Sequence, residues 1–465
     1  MSTHHDGPRY FRSRRVLLGG ALRPGALEVA HGRILAVLAH EAVPEGAPLD
    51  DFGELVIMPG LVDTHVHINE PGRTEWEGFE TATRAAARGG ITTVVDMPLN
   101  SIPAAITPEG VAVKAERTEG RCYVDIGLWG GAVPQNTTGR SRGLGELLDE
   151  GVRGFKCFLV PSGVDEFPYV ETADVENALR QLAGTGVALM VHAELPEPID
   201  EAARSLAAEE PPPDPKSYAT YLRSRPPSAE DQAVALLYEL AKKTGAAVHV
   251  VHLSSAGALE TIARAKDEGV ALSAETAPHY LHFEAEAIPD GATWYKCAPP
   301  IRERANRERL WAALDQGLIE MVVSDHSPCI PDLKRLDTGD FMAAWGGIAG
   351  LQYSFSAVWT GARARGHSLA RVSEWMSARP ARHAALEGKK GALVVGADAD
   401  FIVFDPDAQF TVRGAESQHK NKLTPYDGAT LYGVVHSTWV RGALVQREGQ
   451  YGERAQGRWL ARGTK

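Results

Sequence analysis

The stretch Met58-Pro59-Gly60-Leu61-Val62-Asp63-Thr64-His65-Val66-His67 decides the fold prediction for the whole chain. A Pro-Gly pair interrupts whatever precedes it, and the apolar residues that follow predict a buried strand. Because side chains alternate along a strand, His65 and His67 are expected on the same side. Two imidazoles at a strand end are half of a metal site, although an isolated pair is equally well explained as two hydrogen-bonded polar histidines.

After this strand the chain alternates between helical and apolar β segments. The helix Phe79–Arg88 leads into the strand Ile91–Asp96, and further strands are predicted at 124–129, 152–158, 187–192, 247–252, 270–275 and 319–324. Helices are predicted at 143–150, 172–183, 256–268 and 306–316, with two more after the proline-rich stretch, and residues 209–227 are interpreted as a loop. Eight such units predict an α/β fold, a closed (β/α)8 TIM-like barrel, with a doubly wound open sheet as the alternative.

Both ends of the chain instead carry short β runs. Strands are predicted at 15–22, 26–29 and 33–38, with a turn at Arg23-Pro24-Gly25, and β runs return after Gly391. Ser13-Arg14-Arg15 superficially resembles a twin-arginine export signal, but the apolar run after it spans only about seven residues, which favours strands. We therefore predict a small β-sandwich domain built from both termini, with boundaries at residues 1–57, 58–380 and 381–465.

Composition excludes several classes of partner. The 465 residues carry a formal net charge of −12 without a basic cluster, so no nucleic acid and no membrane partner is expected. No run approaches the roughly 18 apolar residues of a membrane helix. The four cysteines (Cys122, Cys157, Cys297 and Cys329) are scattered, which indicates a reducing, cytoplasmic setting rather than a disulfide framework.

Chemistry in such barrels lies at the carboxyl ends of the strands. Six candidate residues fall at five predicted strand ends, namely His65, His67, Lys156, His192, His252 and Asp325. Histidines and a carboxylate suit a divalent ion such as Zn²⁺, but an ammonium has no lone pair. Lys156 is therefore either a structural lysine or a carbamate formed with CO₂, whose two oxygens can bridge two metals. Asp325 could bind one metal and move a proton to the leaving nitrogen.

These residues resemble the cyclic amidohydrolase branch of the amidohydrolase superfamily, which contains dihydroorotases, hydantoinases (dihydropyrimidinases) and allantoinases. The similarity runs from about residue 58 to residue 381, and the six candidates match that family's binuclear metal set one for one. The resemblance implies two divalent ions per chain, Zn²⁺ above all, and an N6-carboxylysine at Lys156. It also implies a metal-bridging hydroxide that attacks a cyclic amide, Asp325 as general base and then acid, and a homotetramer. Non-catalytic relatives lack ligands, whereas this set is complete.

The loops are most similar to those of the allantoinases. Matching blocks lie at residues 68–78, 96–101, 296–302, 345–348 and 421–426. Dihydroorotases typically carry an arginine at the position of Asn69, and hydantoinases typically a tyrosine at the position of Pro161. The resemblance therefore implies hydrolysis of allantoin to allantoate, in purine and ureide catabolism. A hydantoinase, dihydropyrimidinase or dihydroorotase-like activity is the alternative.

Three further residues are candidates for substrate contacts. Asn100 follows the second strand and could hydrogen-bond the substrate or cap a turn. Ser327 and Gly346, the latter in a Trp-Gly-Gly loop, could hydrogen-bond the ring amide. All three could supply the uncharged hydrogen bonds that a small polar ring needs.

Four other histidines are candidates for supporting or structural roles. His326, His279 and His282 could support the metal ligands, with His326 best placed. His249 lies three residues before His252, so strand alternation points it to the opposite side and predicts a structural role.

Overall fold

The computed structural model describes residues 7–138 and 143–463, and it begins with five strands. These are β1 (Arg9–Leu18), β2 (Ala21–Ala30), β3 (Arg33–Leu38), β4 (Leu49–Asp51) and β5 (Val56–Pro59). The first turn is Gly19-Gly20, both with positive φ, because two glycines take the left-handed conformation of a tight hairpin without strain. The predicted turn at Arg23-Pro24-Gly25 is wrong, since these residues lie in β2 opposite an irregularity in β1 that accommodates the proline. The Ser13-Arg14-Arg15 segment is part of β1.

Parallel strands follow in a closed barrel. They are β6 (Leu61–Val66), β7 (Ile91–Asp96), β8 (Asp125–Leu128) with its short continuation β9 (Gly130–Gly131), β10 (Phe155–Phe158), β11 (Leu189–His192), β12 (Val248–Val250), β13 (Leu272–Thr276) and β14 (Met321–Val322). The last strand returns to the first, because Val66 bridges His326 in parallel and the His67 backbone N–H donates to the His326 carbonyl at 2.8 Å. The predicted (β/α)8 barrel is confirmed, and the open-sheet alternative is wrong.

Helices surround the barrel and occupy its connections. They are α1 (Phe79–Arg88), α2 (Pro108–Glu116), α3 (Pro134–Thr137), α4 (Leu144–Asp149), α5 (Thr172–Leu182), α6 (Pro196–Ala207), α7 (Tyr218–Ser224), α8 (Pro227–Thr244), α9 (Leu259–Asp267), α10 (Pro278–His282), α11 (Arg304–Gln316), α12 (Ser354–Ala364), α13 (Leu369–Ser373) and α14 (Arg379–His383). The interpretation of residues 209–227 as a loop is wrong, because α7 lies within it with Tyr218 and Tyr221 buried. Among the helices in the described ranges, none is long and apolar enough to cross a membrane.

The two chain ends pair in one nine-stranded sheet. Its later strands are β15 (Phe401–Thr411), β16 (Thr430–Val440), β17 (Ala443–Arg447) and β18 (Gln450–Tyr451). The order is β18-β17-β16-β15-β5-β1-β2-β3, with β4 beside β1. The sheet has an apolar core of its own, in which the ring of Phe11 lies 4.8 Å from that of Phe401 and 5.0 Å from that of Trp439. The expected β unit built from both termini is confirmed.

A buried ion cluster joins this sheet to the barrel. The Lys390 ammonium lies 2.5 Å from Asp125, 2.8 Å from Asp398 and 2.6 Å from Asp400, and Arg441 also pairs with Asp125. Asp125 begins β8, whereas the other two carboxylates precede β15. Buried charges are tolerated only when they are paired, so this cluster fixes the sheet against the barrel end that faces away from the candidate ligands.

Candidate active site

The six candidate ligands are all buried at the carboxyl end of the barrel. Five of them line a cavity of about 390 Å³, and His65 lies directly behind with no exposed surface. The cavity opens between the loops that follow the strands, where this fold places its chemistry. A volume of this order suits a small ring compound.

His65, His67 and Asp325 form a first group of donors. Their ligand atoms lie within 4.8 Å of one another. The Nε2 of His65 is 3.2 Å from Asp325 Oδ1, and the Nε2 of His67 is 3.7 Å from the same oxygen. Two neutral imidazoles and a carboxylate at these distances are a suitable donor set for a divalent ion such as Zn²⁺.

His192 and His252 form a second group. Nδ1 of His192 lies 3.0 Å from Nε2 of His252. Two nitrogens that share one tetrahedral zinc ion at about 2.0–2.1 Å stand roughly 3.3 Å apart, so this pair is already close to a ligand geometry. The rings of His65 and His252 are 5.4 Å apart, which makes the two groups direct neighbours.

Lys156 on β10 lies beside both groups. Burial is the main cause that lowers the pKa values of the four histidines, and the Lys156 ammonium lowers them further. Within the described ranges its Nζ has no hydrogen-bond partner, although the residue is fully buried. Burial also lowers the pKa of Lys156 to about 8, which makes the neutral, nucleophilic amine accessible. Beside four imidazoles, the Lys156 Nζ contacts the Phe158 ring at 5.0 Å but has no hydrogen-bond partner in the described ranges, so it fits a group that would be carboxylated and would serve two ions.

Two of the ligands depend on strained backbone at the ends of short strands. β12 ends at Val250 and β14 at Val322, and beyond them His252 has φ 38° and Asp325 has φ 45°. Such conformations cost on the order of 1–3 kcal/mol for residues other than glycine, and they cluster at functional sites. They also break strand alternation. His249 therefore does not point away from the site as predicted but contacts a residue inside the barrel.

That residue is Glu275 on β13, which the sequence did not single out. Its Oε1 lies 2.5 Å from Nδ1 of His65, and its Oε2 lies 3.1 Å from Nε2 of His249. The Nδ1 of His249 contacts the Ser273 hydroxyl at 2.7 Å. Burial raises the pKa of Glu275 to about 8 and lowers that of His249 to about 4. A carboxyl group that accepts from His65 and donates to a neutral His249 satisfies all these contacts and leaves His65 Nε2 free for an ion.

This hydrogen-bond arrangement distinguishes two substitutions of Glu275. A Glu275→Gln side chain keeps one acceptor for His65 and one donor for His249, so near-normal metal retention is expected. Glu275→Leu leaves two buried imidazoles without their hydrogen-bond partner, so a metal affinity about 10–100-fold weaker is expected. The measurement is metal loss during titration with a chelator, with thermal unfolding as a control for folding. Equal damage by both substitutions would show that a negative charge at Glu275 is required instead.

The Glu194 carboxylate orients His192 as Glu275 orients His65. Its Oε2 lies 2.6 Å from Nε2 of His192, and Arg225 donates to the same carboxylate through Nε at 3.0 Å and Nη2 at 2.5 Å. Although burial opposes it, the Arg225 guanidinium, together with His192, holds the pKa of Glu194 well below its usual range. A carboxylate that accepts from Nε2–H leaves Nδ1 of His192 facing His252 as a free donor atom. The only sequence signal was an acidic residue two positions after a candidate ligand.

The three candidate substrate contacts all line the cavity. Asn100 has φ 68°, and its carbonyl accepts from Arg73 Nη1 at 2.8 Å. The Ser327 hydroxyl donates to Asp325 Oδ1 at 3.0 Å, so it also orients the carboxylate. Pro161 lines the cavity as well. Asn69, in contrast, is buried with its amide nitrogen 3.4 Å from the Pro328 carbonyl oxygen. Among the described residues, it is not one of those that line the cavity.

The supporting histidines lie further from the chemistry than expected. His326 contacts Glu77 at 3.2 Å and accepts from the Gly350 N–H at 3.2 Å, so its side chain orders a loop. Its backbone follows Asp325 directly and accepts from the His67 N–H. His279 is fully buried against Tyr280, and His282 packs on Tyr426. In the part of the chain that the structure describes, none of the three side chains lines the cavity.

This barrel and its donor set define a metal-dependent hydrolase, and comparison with known proteins agrees. The sequence profile of the Amidohydrolase family matches residues 56–445, and the chain belongs to that family. Relatives that match nearly the whole chain include allantoinases. The allantoinase of Streptomyces avermitilis is 52% identical over 97% of this chain and 98% of its own length. That of Arabidopsis thaliana is 43% identical over 96% and 90%. The resemblance drawn from the sequence is confirmed.

Solved structures support the same fold. The L-hydantoinase (dihydropyrimidinase) from Arthrobacter aurescens superposes with a TM-score of 0.90 at 29% identity, covering 97% of this chain and 99% of that one. A dihydropyrimidinase from Brevibacillus agri gives 0.88 at 28% identity, covering 98% and 99%. The architecture is therefore shared with proteins named hydantoinase or dihydropyrimidinase, whereas the sequence relatives above are named allantoinase.

Proposed function

We propose that this chain hydrolyses the cyclic amide bond of allantoin to give allantoate. The observation that carries the hydrolytic chemistry is the convergence of six buried donors from five strands at one end of a single cavity. The choice of allantoin is supported by relatives called allantoinases that match nearly the whole chain. A role in purine and ureide catabolism follows from that substrate.

The donor set fits two divalent ions, for which Zn²⁺ is our proposal. His65, His67 and Asp325 would hold one ion, His192 and His252 the other, and Lys156, as N6-carboxylysine, would contribute to both. When bound, such a pair supplies Lewis acidity and lowers the pKa of a water molecule toward neutrality. Neutral imidazoles are required for this task, and burial lowers the pKa of each histidine in the direction that keeps it neutral.

The chain's own residues then orient the substrate and move the proton. Asp325 is the general base that takes the proton from the attacking water and returns it to the departing ring nitrogen. The Ser327 hydroxyl, 3.0 Å away, holds this carboxylate in position. Asn100 and the Gly346 backbone would offer uncharged hydrogen bonds to the ring and its ureido arm. The buried walls around them exclude bulk water, which strengthens each of these contacts.

The alternatives differ in what they require of the cavity. Dihydroorotate brings a carboxylate that needs a charged partner, and at the position of that clamp this chain has the buried Asn69. By the family resemblance, hydantoinases typically carry a tyrosine at the position of Pro161, which lines this cavity. A non-catalytic scaffold has no use for a complete donor set. Among these, a hydantoinase or dihydropyrimidinase activity is the second candidate, because the solved structures carry those names.

A substrate panel tests the proposal. We expect kcat/KM for allantoin to exceed that for hydantoin, dihydrouracil and dihydroorotate by at least about a hundredfold on one metal-loaded preparation. That ratio corresponds to roughly 3 kcal/mol of differential transition-state binding. Metal analysis of the same preparation is expected to approach two equivalents per chain. A preference for hydantoin or dihydrouracil would reject allantoin while leaving the hydrolytic chemistry in place.

We also propose a cytoplasmic homotetramer. All four cysteines are free and buried, which suits a reducing compartment. The tetramer rests on the family resemblance alone, and size-exclusion chromatography with light scattering measures it directly.

A further inference from the structure

Arg73 lies at the junction of four loops around the cavity mouth. It belongs to the loop after β6, and its Nη1 donates to the carbonyl of Asn100 in the loop after β7 at 2.8 Å. The same guanidinium pairs with Glu166 in the loop after β10. Its Cζ lies 5.2 Å from the ring of Trp76, which in turn lies 5.1 Å from the ring of Trp345 in the loop after β14.

The loops that Arg73 joins supply one wall of the cavity. Asn100, Gly163 and Trp345 line it, whereas Arg73 is outside the described lining. The wall is closely packed, because a Cβ at Gly163 would stand 2.9 Å from the Trp345 ring. Asn100 is held at φ 68°, a conformation that persists only when its surroundings fix it. The Arg73 guanidinium is the partner of its carbonyl.

We propose that Arg73 is a positioning residue that sets specificity for the ring substituent by fixing this wall. This inference rests on the proposed hydrolysis of a substituted cyclic amide. The reacting amide must lie at the His and Asp ligands, so the substituent extends toward the loops. Arginine suits the task because its planar fork serves a carboxylate and a carbonyl at once and stacks on an indole, which a lysine ammonium cannot do together.

The test compares a substituted ring with an unsubstituted one. In Arg73→Met we expect KM for allantoin to rise about tenfold or more, with kcat within about threefold, because the lost interaction concerns binding of the arm. The inhibition constant of unsubstituted hydantoin is expected to stay within about twofold, and the metal content to stay unchanged. Glu166→Gln should also raise the ratio of the allantoin KM to the hydantoin inhibition constant, but by a smaller factor. The Arg73 guanidinium then keeps its contacts with the Asn100 carbonyl and the Trp76 ring.

A matched control lies on α12, where an arginine contacts β15 and β16 of the terminal sheet. Arg363 pairs with Asp407 at 2.5 Å and stacks on Tyr432 at 4.6 Å, the same two kinds of contact away from the cavity. Arg363→Met should leave every kinetic value unchanged. Three results in Arg73→Met would each overturn the inference. They are an equal weakening of allantoin and hydantoin binding, a fall in kcat together with loss of metal, and no change in any kinetic value. If allantoin fails as a substrate, the same ratio is measured with a 5-substituted hydantoin, so the two proposals fail separately.

Discussion

Replacing Lys156 with alanine is expected to lower allantoin hydrolysis by at least about a thousandfold and the metal content below two ions per chain. The proposed carbamate is the one group that both donor sets share, so its loss weakens both. A contribution of about 4 kcal/mol to the transition state corresponds to a thousandfold in rate. Steady-state kinetics and elemental analysis on the same preparation measure both effects. The fold should survive, because removing an unpartnered buried amine leaves no hydrogen bond broken.

Three further experiments distinguish a carbamate from a structural lysine. Lys156→Arg keeps a long cationic side chain but cannot be carboxylated stably, so it should be as inactive as Lys156→Ala. A short carboxylic acid added with metal to Lys156→Ala is expected to restore part of both the metal content and the activity. Growth in ¹³C-labelled bicarbonate should give a carbamate carbon resonance in the wild type and none in Lys156→Ala. Full activity in Lys156→Ala would show that the lysine only fills space.

The placement of the six candidate ligands at the barrel rim could be predicted because it follows from a local rule. His65 and His67 are two apart at the end of one strand, which ends at Val66. The other four residues each stand in or just beyond a strand that its apolar residues reveal, namely Lys156, His192, His252 and Asp325. Closing the barrel brings all strand ends to one rim, so position along each strand was sufficient. His252 and Asp325 reach the rim even though their strands end early, at Val250 and Val322. Both residues have positive φ, which turns their side chains back toward the rim.

The residues behind the ligands could not be predicted in this way. Glu275 and Arg225 act through partners that are far away in sequence, such as the contact between Glu275 and His65. Glu194 is only two residues from His192, but nothing local shows that it is held by Arg225. A buried glutamate within an apolar strand carries no local mark of its partner. Arg73 presents the same difficulty, because its role depends on four loops meeting. The helix α7 was missed because prolines on both sides of a seven-residue segment concealed its period.

Asp325→Asn is expected to keep the fold and most of the metal yet lose turnover by about 10²–10⁴-fold, the usual worth of general acid–base catalysis. An amide oxygen can still act as a ligand, but it cannot take the proton from the attacking water. Burial raises the pKa of Asp325 to about 7. The proposed divalent ions would favour the ionised carboxylate, so the acid limb of the wild-type pH profile should lie below about 7. The base must be ionised to act, so the rate should fall as the pH drops through that limb.

The shape of the pH profile then assigns the limb to this carboxylate. Asp325→Asn should lose the limb altogether, whereas Ser327→Ala, which removes the hydroxyl 3.0 Å from Asp325 Oδ1, should keep it and shift it upward. The direction follows because a hydrogen bond to the ionised form lowers a carboxyl pKa, and its removal lets the pKa rise. A merely structural Asp325 would change the rate at every pH by the same factor. An asparagine variant within about tenfold of the wild type, with the acid limb intact, would assign the proton transfer to another group.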